Sequence, residues 1–74
     1  MIIDELFPGD TFKDQWRERV MVSGFVEDMG DRVGCYLKNL NSGSGYRSSF
    51  RKTPDGKIDL GEVADYTPNP KKKS

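Results

Sequence analysis

Seventy-four residues, 34% of them hydrophobic, with 12 basic and 12 acidic side chains in balance, make one small domain without a general electrostatic grip on nucleic acid. A chain of this size buries only about 60% of the surface it exposes when unfolded, enough for a thin core and too little for a deep substrate cavity as well. With no histidine and a single cysteine, a zinc site, a histidine-based triad and an internal disulfide are excluded, and the composition fits a reducing cytoplasm.

Met1 to Phe7 is apolar with Asp4 and Glu5 inserted, too short to separate a first strand from a helical turn. Pro8-Gly9-Asp10 signals a turn, since proline presets φ and glycine permits reversal. Thr11 to Asp14 then predicts a short strand with Phe12 inward, and Gln15 and Trp16 lead into the longest pair of strands.

In Val20 to Val26 and Val33 to Leu37 apolar residues recur at every second position, with the β-branched and aromatic types that pleated surfaces favour. Glu27 to Arg32 lies between them and holds Gly30 among aspartates, which predicts a hairpin. An even loop sets Val26 against Val33, Gly24 against Cys35 and Val22 against Leu37, on one apolar face. It also places Glu27 opposite Arg32 and Phe25 opposite Gly34, while Gly24 and Gly34 mark points where the sheet can bend.

Asn41 to Gly45 reads as a polar connection, because the spaced Gly-Lys-Ser/Thr ending of a phosphate loop is missing. Tyr46, Ser48 and Phe50 then alternate with Arg47, Ser49 and Arg51 in a fourth strand. Thr53-Pro54-Asp55-Gly56 has the order of a type I turn closed by glycine, and Ile58 and Leu60 alternate inward on a fifth strand. Residues 1–63 form the expected domain, and residues 64–74, with two prolines and Lys71 to Lys73, the expected disordered tail. Without those three lysines the remaining chain is slightly acidic.

The fold class expected is therefore all-β: a small five-stranded antiparallel barrel or roll, partly open, with a flexible C-terminal tail. A split sheet with a short helix near 1–8 or 61–66 is the structural alternative. The core expected is Leu6, Phe7, Phe12, Val20, Val22, Val26, Val33, Cys35, Leu37, Phe50, Ile58 and Leu60. Neither a basic start followed by an apolar run nor an apolar stretch of about 20 residues is present, so the expected protein is soluble, unprocessed and cytoplasmic, without a membrane partner.

Pro8-Gly9-Asp10-Thr11-Phe12-Lys13-Asp14, followed by Arg19-Val20-Met21-Val22 and by Tyr46-Arg47-Ser48-Ser49-Phe50-Arg51, resembles the pattern of small Src-homology-3-like barrel proteins of bacterial and phage genomes. The resemblance spans about residues 8 to 60 and is one of fold, with the Asn41 to Gly45 insertion departing from its tightest versions. It implies a five-stranded barrel that binds peptides, nucleic acid or proteins, and it brings no catalytic residue.

Asp55 to Glu62 is similar to the second half of an EF-hand loop, but Arg51 and Thr53 stand where the leading carboxylates belong. Asp10 with Asp14, or Asp28 with Asp31, read as solvated turn formers rather than catalytic carboxylates. Cys35 reads as a buried small hydrophobe. No enzyme activity, cofactor or metal is expected.

What remains is recognition. The predicted register turns Phe25, Tyr36 and Met21 outward, with Arg19, Arg32, Arg47 and Arg51 on outward or edge positions nearby. Aromatics mixed with arginines suit a protein-binding hot spot or a surface that stacks bases and holds phosphates. Alternatively a strongly bent barrel buries both faces and makes Phe25 and Met21 a second core layer. Trp16 reads either as packing against Arg17 at the rim or as a ligand platform. The expected function is a non-enzymatic module of phage or prophage type that docks on a protein through Trp16, Arg19, Phe25, Arg32, Tyr36, Arg47 and Arg51. The alternative is a nucleic-acid-binding barrel using Phe25, Tyr36, Arg47, Arg51 and the lysine tail. Either form is a monomer or a dimer paired at a free strand edge.

Overall fold

The computed structural model describes residues 1–71 and contains no helix among them. Seven strands form one curled antiparallel sheet, a half-barrel. They are β1 (Ile2–Ile3), β2 (Thr11–Lys13), β3 (Arg19–Asp28), β4 (Arg32–Asn39), β5 (Gly45–Lys52), β6 (Ile58–Asp59) and β7 (Ala64–Thr67), in the spatial order β1-β6-β5-β4-β3-β2-β7. Five of them are the strands expected from alternation, and β1 and β7 are additional edges.

Side-chain parity explains the core. Val33, Cys35 and Leu37 of β4 point inward and are buried, between Val20 and Val22 of β3 and the inward row of β5. Leu6, Phe12, Ile58 and Leu60 close the interior, and the Phe12 and Phe50 rings meet edge to face with centroids 6.0 Å apart. Every buried apolar side chain belongs to the expected core. Val26 and Phe50 pack at its margin, Phe7 is half-buried, and Ile3, Val63 and Tyr66 join from segments without an alternating signal.

The register of the central hairpin departs from expectation in one place. Val22 faces Leu37 as expected, and Ser23 faces Tyr36. Glu27 then faces Gly34 and Asp28 faces Val33, so β3 passes three residues, Gly24, Phe25 and Val26, where β4 passes Cys35 alone. The pairings expected for Val26, Gly24, Phe25 and Glu27 are replaced by this bulge. Gly24 supplies the left-handed backbone that such a bulge takes, with φ of 79°. The excess of two residues keeps parity, so the inward row is not reversed. The loop is even, as expected, but tighter: the Met29 amide donates to the Arg32 carbonyl at 2.8 Å, leaving Gly30 and Asp31 at the tip.

The second hairpin matches its signals. The Gly56 amide donates to the Thr53 carbonyl at 2.9 Å and the Thr53 amide to the Lys57 carbonyl at 2.8 Å, a turn followed by a glycine bulge.

Part of the expected tail joins the sheet as β7, Ala64–Thr67, with hydrogen bonds continuing to Asn69 and Lys71. Thr11 pairs with Thr67 and Lys13 with Ala64, while the Asn69 amide donates to Asp10 Oδ1 at 2.7 Å and the Asn69 side chain to the Pro8 carbonyl at 2.7 Å. Of the lysine cluster, Lys71 is exposed; Lys72 and Lys73 lie outside the described residues.

Asp10 anchors this seam and corrects the expectation of a solvated turn former. It is 0% exposed. Its carboxylate accepts from the Phe7 amide at 2.9 Å, the Tyr66 hydroxyl at 2.9 Å and the Asn69 amide. A turn residue is driven inside because the returning C-terminal segment covers it and supplies the donors that a buried carboxylate requires.

Candidate recognition surface

The outward rows of β3, β4 and β5 make the most developed surface. Tyr36 stands between Ser23 on β3 and Arg47 on β5 and is 45% exposed. The Arg47 guanidinium carbon lies 5.9 Å from the Tyr36 ring centroid, and its Nη2 is 3.9 Å from Glu27 Oε2. Phe25, carried outward by the bulge, is 65% exposed. The alternative in which Phe25 belongs to a second core layer is therefore overturned, while Met21 is half-buried.

Phe25, Tyr36, Lys38, Ser23 and three glycines, Gly24, Gly43 and Gly45, line a shallow groove of about 280 Å³. Glycine here leaves the floor without side chains. Further toward the hairpin tip the exposed Met29 lies over Gly34, where a Cβ atom would stand 2.9 Å from its sulfur. Met29 and Lys38 were not among the expected site residues, although parity alone puts Lys38 on the face of Tyr36. The tip is pinned by Asp28, whose carboxylate accepts from the Gly30 amide at 2.9 Å and from Lys52 Nζ at 3.1 Å. The Gly30 amide first, and then Lys52, hold its pKa below the ordinary value.

The expected arginines divide. Arg32 donates through Nε to Ser49 Oγ at 2.9 Å and through Nη2 to the Ser49 carbonyl at 3.2 Å. Arg51 is exposed directly opposite it. Arg19 shares the outer face but at its far end, 3.9 Å from Asp65, which also meets Lys13 at 3.5 Å.

Trp16 belongs elsewhere. It is 69% exposed and lines a cleft of about 220 Å³ on the inner side, beside Phe12, Asp14, Tyr46, Phe50 and Glu62. The loop is shaped by Asp14, whose Oδ1 accepts from the Trp16 and Glu18 amides at 2.9 Å each. Tyr46 donates to Asp14 Oδ2 at 3.4 Å, and burial followed by the Asp14 charge raises its pKa. The structure thus separates Trp16 from the group containing Phe25 and Tyr36.

Chemically, the outer surface offers aromatic area and cations. Among the described residues no group of three or more potential metal ligands converges. Cys35 is buried, and burial pushes its thiol up to about 11, which disfavours the thiolate. Among the described residues no helix is long and apolar enough to cross a membrane. Comparisons with protein-family models, curated proteins and solved structures find no match for this chain.

Proposed function

We propose that this chain is a non-enzymatic interaction module that docks on a protein partner through Phe25, Tyr36, Met29 and the groove beside them. The observation that supports it is the pair of large aromatics held outward on a rigid central sheet, Phe25 by a bulge and Tyr36 under Arg47. Exposed aromatic area of this kind, fixed in advance by neighbouring strands, is what protein hot spots use. A role in recognition accords with the resemblance to small Src-homology-3-like barrels.

A protein is favoured over nucleic acid because several cations of this face are already engaged. Arg47 meets Glu27, and Lys13 and Arg19 meet Asp65. Phosphate tracking needs a row of uncommitted cations, and a chain of zero net charge supplies little steering.

The test is affinity capture with the full chain and with the double variant F25A/Y36A as parallel baits. A protein retained by the wild type and lost by the variant is the expected result; identical capture by both would overturn the assignment. Titration with a labelled single-stranded oligonucleotide completes it, since binding tighter than about 100 μM at physiological salt would move the partner to nucleic acid.

A further inference from the structure

Arg32 and Arg51 face each other directly across β4 and β5, on the outward side of the sheet. Like charges at opposed positions, with Cα atoms about 5 Å apart, destabilise a sheet. Among the described residues no carboxylate lies within ion-pair distance of either guanidinium, although Asp59 is the register partner of Arg51 on its other side. Elsewhere on the same face the cations Lys13, Arg19 and Arg47 each have an acid within 4.0 Å. The two arginines, Ser49, Asp59 and Gly61 line one open groove of about 290 Å³.

We infer that Arg32 and Arg51 form an oxyanion subsite that receives a carboxylate side chain from the docked protein partner. The inference rests on the docking role proposed above and adds the chemistry of the partner: an acidic segment that crosses β4 and β5 on the same outward face as Tyr36, four residues along β4 from it. A carboxylate between the guanidiniums replaces their repulsion by charge-assisted hydrogen bonds. Arg32 is set for this. Ser49 takes its Nε–H and one Nη2–H, which fixes the plane of the guanidinium and leaves the other donors to face a ligand. Arg51, exposed and without such a tether among the described residues, is free to swing onto the second oxygen. Ser49 is thus a positioning residue, and the arginines are the binding groups.

The full chain, labelled with nitrogen-15, is titrated with acetylated hexaglutamate, acetylated hexalysine and hexathymidylate at one low ionic strength. Expected is half-saturation by hexaglutamate at about 1 mM or tighter, with shifts confined to the arginine Nε signals and the amides of Arg32, Ser49 and Arg51. R51Q weakens that binding at least about tenfold and S49A by a smaller factor. R17Q, which removes the same charge from the exposed β2–β3 loop, leaves it within about twofold. Equal loss in R51Q and R17Q, no response at the Arg32 and Arg51 signals, or hexathymidylate binding as tightly as hexaglutamate would each overturn the subsite. If these fail while capture still depends on Phe25 and Tyr36, the acidic partner is wrong and the docking role stands.

Discussion

Two tyrosines divide the molecule. Tyr66 spends its hydroxyl on the buried carboxylate of Asp10, closing a seam between residues 7–10 and the last strand. Tyr36, two strands away from that seam, lies open with an arginine over its ring. At the seam, polar groups are withdrawn from water and every bond is costly to lose; on the face, the same side chain holds nothing together. The contrast teaches that in so small a body the polar interactions which maintain the fold and the aromatics free for recognition are kept apart.

Asp10→Ala breaks the contrast most severely. It strips the Phe7 amide, the Asn69 amide and the Tyr66 hydroxyl of their acceptor inside the protein, a loss of about 4 kcal/mol. That rivals the whole stability of a domain this size, so urea titration of this variant should show no cooperative transition at 25 °C. Gly9→Ala attacks the same seam from the backbone. Gly9 has φ of 97°, and an added Cβ would stand 2.3 Å from Asn69 Nδ2, evicting the amide from the Pro8 carbonyl. A loss of about 2 kcal/mol is expected, read as a lowered urea midpoint. Tyr66→Phe removes the hydrogen bond from the Tyr66 hydroxyl to the Asp10 carboxylate and costs about 1.5 kcal/mol.

A pH series sharpens the distinction between interior and surface. Cys35 in the unfolded chain ionises near its ordinary value of 9.0, whereas burial holds the folded thiol neutral up to about 11. Between those values the unfolded chain binds fewer protons than the folded one, so stability is intact below pH 9 and falls as pH rises toward 11. The raised pKa of Tyr46 acts in the same sense. In Cys35→Ala the thiol's share of that decline should vanish, visible as a shallower loss of urea midpoint above pH 9.

The smallest effect on stability belongs to the outer face. F25A and Y36A should each move the unfolding free energy by no more than about 0.5 kcal/mol, while together they abolish partner capture. A large loss of stability from either would place that ring in the fold's own support and erase the division.

What was legible in the sequence follows the same line. Alternation located β2 to β6, and parity correctly sorted Tyr46, Ser48 and Phe50 from Arg47, Ser49 and Arg51, because each strand's neighbours repeat the pattern. The strands at the two ends were not legible: β1 has two residues, and Ala64–Thr67 carries no inward alternation, being held by pairing with a segment more than fifty residues earlier. Asp10 was misread because Pro-Gly-Asp specifies a turn wherever it lies, and burial depends on a cover that arrives late in the chain. Parity turns Phe25 and Tyr36 away from the core but leaves open whether a strongly bent barrel covers them; their exposure of 65% and 45% is a property of the half-barrel and the bulge. The grouping with Trp16 was not sound, since its loop turns to the inner cleft.

The bulge at Gly24 to Val26 has a consequence for how such a protein can change. Because its surplus is an even number of residues, a dipeptide can be removed there, or another added, without rotating any downstream side chain from oil to water. The segment that presents Phe25 thus stands outside the one-to-one pairing of the ribbon, tied to the interior through Val26.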